Sequence, residues 1–226
     1  MKKILLNRES SIAYRKGFKC RTQRVMKSQP DSDTGFLHQS KDETWFERNV
    51  GVSIYSSRYG KCPYGKVGDR IQLLTSWAVP REYDDYKPSD LLGSNLHCED
   101  IWTYFDSDQK PDSLGRSRSP LFMPGWLRDV MPQPKIVSIE ARRVNDITEE
   151  ECTEEGIRRV TKDGDVFKYC IYDKGDYSSV PWQDMPKTAK ECYTYWWNRI
   201  NSKRGYPWEL NPWVWNIQIE NWNDLK

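Results

Sequence analysis

Between Pro80 and Pro134 the chain meets further prolines at Pro88, Pro111, Pro120, Pro124 and Pro132, so no long helix or central strand can run through this stretch. Proline lacks the N–H that either element needs, and its ring collides with the preceding helical turn. Regular structure therefore has to come from the flanks. The stretch at about 80–134 reads as a loop-rich insertion in a single domain spanning 1–226, since one core commonly fills with roughly 100–200 residues.

On the N-terminal flank, Ser11 to Lys16 reads as a short helix or turn, broken at Gly17 and followed by a strand over Lys19 to Met26. Residues 28–60 are polar and carry no sustained period, which predicts a loop with one hairpin about Val50 to Tyr55. The Gly- and Pro-rich run Cys62 to Arg70 is a turn cluster leading into a strand, where Ile71, Leu73, Thr75 and Trp77 face one way and Gln72, Leu74, Ser76 and Ala78 the other. Beyond the insertion, Val137, Ile139 and Ala141 alternate with Ser138, Glu140 and Arg142, as in a half-buried strand. Thr148-Glu-Glu-Glu151 is a capping box opening a helix over about 149–156, stopped by Gly156. A second box, Thr188-Ala-Lys-Glu191, opens a helix whose apolar stripe is Ala189, Cys192, Tyr193, Trp196, Trp197 and Ile200. The last strand sets Trp213, Trp215, Ile217 and Ile219 against Val214, Asn216, Gln218 and Glu220. Strands joined by short helices and long loops, without a βαβ rhythm, predict a mixed α+β barrel rather than a doubly wound sheet.

The core has to be built economically, because apolar residues are 37% of the chain, charged residues 30%, and the mean hydropathy is -0.88. Eleven Trp and thirteen Tyr make up the difference, each bringing a large buried area with a polar handle, which argues against disorder. The net charge of +2 produces no global field that points to a polyanion. The apolar run after Met1 ends at Asn7, Arg8 and Glu9, too short for a secretory segment, and no stretch of about 18 apolar residues occurs. A cytoplasmic protein without membrane contact is expected. Six cysteines without a Cys-x-x-Cys pair, His97 directly beside Cys98, and only His38 besides, argue for reduced thiols and against a metal site or cofactor.

Charge is distributed more tellingly than it is summed. From Ser10 to Pro30 stand Arg15, Lys16, Lys19, Arg21, Arg24 and Lys27, with no acidic residue between them. Such a patch can hold phosphate or can be a solvated face. In an unbroken strand Thr22 and Arg24 share a face and Lys19 opposes them, so Lys19 and Thr22 converge only if the chain bends near Cys20. Glu149, Glu150 and Glu151 suit the positive start of their helix, whereas Glu154 and Glu155 sit against its dipole. Trp196, Trp197, Trp213 and Trp215 are able to stack on bases, but their periodicities favour the core. Trp77, at a strand end, is the better candidate for stacking on a base, and Arg116 and Arg118 lie in a loop where phosphate contact or solvation are both open.

Gly17-Phe-Lys19-Cys-Arg-Thr22-Gln-Arg24 resembles the Gly-x-Lys-x-x-Thr-x-Arg signature of ASCH domains. The likeness to phage and prophage members continues through Cys62–Arg70, Met123-Pro-x-Trp126, Asp146–Gly156 and Trp197–Trp215, in that order. It implies a PUA-like β-barrel with short flanking helices, and RNA or a modified nucleoside or nucleotide as partner. Some small ASCH proteins are amidohydrolases that deacetylate N4-acetylcytidine with a Lys, a Thr and a Glu. Carried over, these fall on Lys19, Thr22 and Glu155 as catalytic residues. Arg21, Arg24, Lys27 and Trp77 are then nucleotide-binding, and Lys19→Ala should abolish turnover with the fold intact. Thr75-Ser-Trp77 lacks an acid usual in those members, and Cys20 replaces their Thr. A non-catalytic binding module, or a phage protein that binds a host protein in the host cytoplasm, are the other functions the resemblance allows.

Overall fold

A computed structural model describes residues 1–30, 36–48, 55–171 and 180–225. β1 (Lys2–Leu5) leads to Asn7, whose side-chain oxygen accepts from the Ser10 N–H at 2.9 Å and caps α1 (Arg8–Arg15). The chain leaves α1 at Gly17 with φ +75, where a Cβ would lie 2.7 Å from the Asn223 side chain, so the turn into β2 (Arg21–Val25) requires glycine. The polar stretch expected as a loop is instead an antiparallel meander of β3 (Phe36–Gln39), β4 (Trp45–Arg48) and β5 (Tyr55–Gly60). Residues 49–54, which cover the expected hairpin turn, lie outside the described residues. The meander docks through Trp45, set edge-on to Trp215 with ring centres 5.7 Å apart.

Two strands, β6 (Ile71–Leu74) and β7 (Trp77–Ala78), replace the single strand expected over 71–78. β6 runs parallel to β1 and is buried along its whole length, which is why both of its faces are apolar. β8 (Trp102–Thr103) pairs with β7, and α2 (Gly125–Arg128) follows. Then come β9 (Ile136–Arg143), α3 (Glu149–Glu154), the hairpin β10 (Ile157–Thr161) with β11 (Phe167–Ile171), α4 (Ala189–Asn201) and β12 (Trp213–Ile219). Both capping boxes form, Thr148 with Glu151 and Thr188 with Glu191.

The architecture is mixed α+β. Its strands fall into small open sheets of two or three, and none closes into a barrel among the described residues. The central sheet is antiparallel in the order β2, β12, β9. β12 is covered on both sides: Trp213, Trp215, Ile217 and Ile219 join a core with Ile4, Tyr14 and Leu73, while Val214 joins a second core with Cys152, Cys192 and Trp197. In β9 the expected inward Val137 is exposed. The register with β12 slips between Gln218 and Ile219, leaving Val137 as the extra residue of a bulge and sending Ile136 inward instead.

The insertion is more than a loop. Leu91, Leu96, Ile101, Met123 and Leu127 close a third core on Leu74, Trp77 and Val79. Among the described residues no helix is long and apolar enough to cross a membrane.

Candidate functional site

β2 is the outer strand of its sheet, and its free edge lines a partly open cleft of about 240 Å³. The Met26 N–H bonds to the Trp213 carbonyl and the Ile219 N–H to the Cys20 carbonyl, so even-numbered residues of this strand bond to β12. The main-chain groups of Gln23 and Val25 therefore face away from the sheet. One wall of the cleft is α4, through Tyr193, Trp196, Trp197 and Ile200. The other includes Leu5, Asn7 and Ser10, with Tyr64 and Arg204 completing the lining.

Lys19 and Thr22 both line the cleft because Lys19 precedes the strand proper, in an isolated antiparallel bridge to Glu155. Glu155 follows α3 and is itself followed by Gly156 at φ +104. A Cβ on Gly156 would sit 2.9 Å from Ala13 Cβ, so glycine lets the end of α3 close onto α1 and brings the carboxylate to Lys19. The Lys19 ammonium donates to one Glu155 carboxylate oxygen and, at 3.0 Å, to the Glu155 carbonyl. The other carboxylate oxygen accepts from the Gln23 N–H at 2.6 Å and the Tyr193 hydroxyl at 3.4 Å. An acid placed against its helix dipole is thus offset by a cation at the same helix end.

Burial lowers the Lys19 pKa below its ordinary value, against the pull of Glu155, and the charge of Arg24 works in the same direction as burial. Burial raises the Tyr193 hydroxyl well above its ordinary value, with Glu155 adding to the effect. Tyr193 also donates to the Gln23 side-chain oxygen at 3.0 Å, and Arg24 Nη2 donates to the Leu5 carbonyl at 2.9 Å. Two buried donors, Gln23 Nε2 and Arg24 Nε, have no acceptor among the described residues. The Thr22 hydroxyl likewise has no hydrogen-bond partner among the described residues.

No family model, no curated protein and no solved structure matches this chain. Function has to be argued from the cleft itself.

The five clustered glutamates are sorted by their partners. Glu149 accepts from the N-terminal amides of α4, at 2.7 Å from the Ala189 N–H. Glu151 completes its capping box and binds Arg142 at 2.5 Å, Glu154 binds Arg21 at 2.6 Å, and the Glu150 side chain is exposed. Only Glu155 lines the cleft.

Among the expected nucleotide-binding residues, Arg24 alone lines the cleft. Arg21 is buried on the other face of β2, tied to Glu151 and Glu154, and braces α3 against the sheet. Lys27 is exposed and outside the lining. Trp77 is fully buried in the third core, its indole N–H bonded to the Ser119 carbonyl at 3.1 Å, and has no free face for a base. Arg118 is buried over the Trp77 ring and donates to the carbonyls of Tyr83, Asp84 and Tyr86, while Arg116 bonds to Asp84. Neither is offered to a phosphate.

Sequence reasoning missed Gln23, Tyr64, Tyr193 and Arg204, and assigned Trp196 to the core. Trp196 is half-buried and Ile200 is 39% exposed, so this end of the apolar stripe of α4 lines the cleft. The expectation that Lys19→Ala leaves the fold intact is also corrected, because the substitution strands a buried carboxylate.

Proposed function

We propose that this chain is a divergent ASCH-type, PUA-like domain whose cleft binds a modified nucleoside, free or within a nucleotide or RNA. The observation that carries the reading is the convergence on one cleft of Lys19, Thr22, Arg24 and Glu155 with two half-buried aromatic residues, Tyr64 and Trp196. The volume lies just below the roughly 300–1,000 Å³ of drug-sized sites, a scale that suits a single nucleoside. Trp196 and Tyr64 offer ring surface to a base. The outward Gln23 carbonyl and Val25 N–H supply an acceptor and a donor along one strand edge, as a base edge requires. Gln23 Nε2 and Arg24 Nε, buried without acceptors among the described residues, gain most from a ligand carbonyl.

A second reading, removal of an N-acyl group, is favoured by the Thr22 hydroxyl, which has no hydrogen-bond partner among the described residues and stands in the same cleft as a lysine whose pKa burial lowers. Thr22 Oγ1, or a water it orients, adds to the acyl carbonyl carbon and passes its proton to the Lys19–Glu155 pair. The oxyanion is received by Gln23 Nε2 and Arg24. Collapse then breaks the C–N bond as the pair returns the proton to the leaving amine; where Thr22 Oγ1 is the nucleophile, a water then adds to the Thr22 ester, and its collapse releases the carboxylic acid and restores the hydroxyl.

The test is a panel of nucleosides and nucleotides including N4-acetylcytidine, followed by thermal melting and by mass spectrometry of the ligand. A ligand of the folded state raises the melting temperature whether or not it reacts. Stabilisation without product supports binding alone, and loss of the acetyl mass supports hydrolysis. Neither shift nor product across the panel contradicts both and leaves a partner-binding protein.

A further inference from the structure

We infer that the cleft also holds the phosphate of a nucleotide, clamped between Arg24 and Arg204; this rests on the nucleoside reading above. The charged residues lining the cleft are three cations, Lys19, Arg24 and Arg204, against one carboxylate, Glu155. Glu155 is ion-paired with Lys19, so it is the one carboxylate in the lining shared among three cations. Neither has a carboxylate partner among the described residues. Arg24 spends one N–H on the neutral Leu5 carbonyl, and its buried Nε has no partner among the described residues.

Arg204 is exposed but held. Its Nη1 donates to the Asn201 side-chain oxygen at 3.1 Å, and Asn201, buried at the end of α4, bonds through its amide nitrogen to the Trp197 carbonyl at 3.3 Å. Burial works against the charge of Arg24, Tyr64 and Glu155 offset part of that cost, and the like charge of Arg204 adds a smaller amount to it. An anion between them removes the repulsion and gives both guanidinium groups charge-assisted acceptors.

The adjoining hollow of about 50 Å³ does not compete for this role. It shares Asn7, Trp196 and Ile200 with the cleft, but its lining holds one cation, Arg199, and one carboxylate, Glu9. The uncompensated positive charge belongs to the larger cleft, beside the surface of Trp196 that would carry the base. A phosphate ester can come from a free mononucleotide or from an RNA chain, and the chemistry that recognises it is the same.

The experiment titrates N4-acetylcytidine, its 5′-monophosphate, and a short single-stranded RNA carrying the same base into the wild type and Arg204→Gln, at low and moderate salt. Arg204 is on the surface, and a melting curve checks that the variant folds. In the wild type at low salt the monophosphate is expected to bind about ten- to a hundredfold more tightly than the nucleoside, the worth of a charge-assisted contact. That ratio should shrink with salt and fall to about one in Arg204→Gln. The same advantage for the RNA alone also supports the phosphate site and assigns it to a chain diester. Equal affinities for all three ligands, or an advantage indifferent to Arg204→Gln, overturn the inference while leaving the nucleoside site standing. Failure of every ligand to bind overturns the nucleoside reading and this inference with it.

Discussion

Lys19→Ala is expected to lower the free energy of unfolding by roughly 3–5 kcal/mol, the usual cost of removing one partner from a buried ion pair. Lys19 is 3% exposed, and its ammonium is held by the carboxylate and the carbonyl of Glu155. Without it the carboxylate remains buried, with only the Gln23 N–H and the Tyr193 hydroxyl to compensate its charge. Urea denaturation measures the loss. The double variant Lys19→Met/Glu155→Leu should recover most of it, because an apolar pair of similar volume often matches a buried ion pair in stability. That double variant should still fail to bind ligand. A loss well under 1 kcal/mol for Lys19→Ala is the behaviour of an exposed pair and contradicts the geometry described above.

Trp77→Ala is expected to cost about 3–5 kcal/mol while leaving ligand affinity unchanged in the folded fraction. The indole fills the centre of the core that joins the insertion to β6 and β7, and its N–H satisfies the Ser119 carbonyl. Truncation leaves a cavity, an unpaired acceptor and an Arg118 side chain without its ring. A residue that stacks on a base behaves in the opposite way, with little effect on stability and a clear loss of affinity. Denaturation and ligand titration on the same variant separate the two outcomes.

Legibility in the sequence followed how local the determining interaction was. The capping boxes at Thr148 and Thr188 and the turn at Gly17 depend on residues a few positions apart and are present as read, and the strand over Trp213 to Ile219 forms as well, though it is buried on both faces where its alternation predicts one. The meander over 36–60 was not legible, since Leu37 and Trp45 are the members seen to reach the core and leave no period to detect. The third core draws Leu91, Leu96, Ile101, Met123 and Leu127 from separate turns, at spacings set by tertiary contact alone. Val137 fits a strand period perfectly well, and only the bulge opposite Ile219 turns it outward.

The cleft shows the same division. Lys19, Thr22 and Arg24 were singled out by charge and motif, and Glu155 by its position against a helix dipole together with the family resemblance. All four line the cleft. The aromatic wall was weighted towards the core because Trp196 and Trp197 obey one helical period, yet Trp197 packs inward with its N–H on the Tyr206 carbonyl while Trp196 lies half-buried in the lining of the cleft. Gln23 and Val25 contribute through the free edge of β2, a property of strand order that residue types do not encode.

A nucleoside site between β2 and α4 depends most directly on Trp196. Calorimetric titration of N4-acetylcytidine into the wild type and Trp196→Ala isolates the base-stacking wall at a residue that is only half-buried. Stacking of about 1–3 kcal/mol per base predicts binding by the wild type that weakens roughly five- to a hundredfold in the variant. Equal affinity in the two proteins, or no heat of binding in the wild type, contradicts a nucleoside site between β2 and α4.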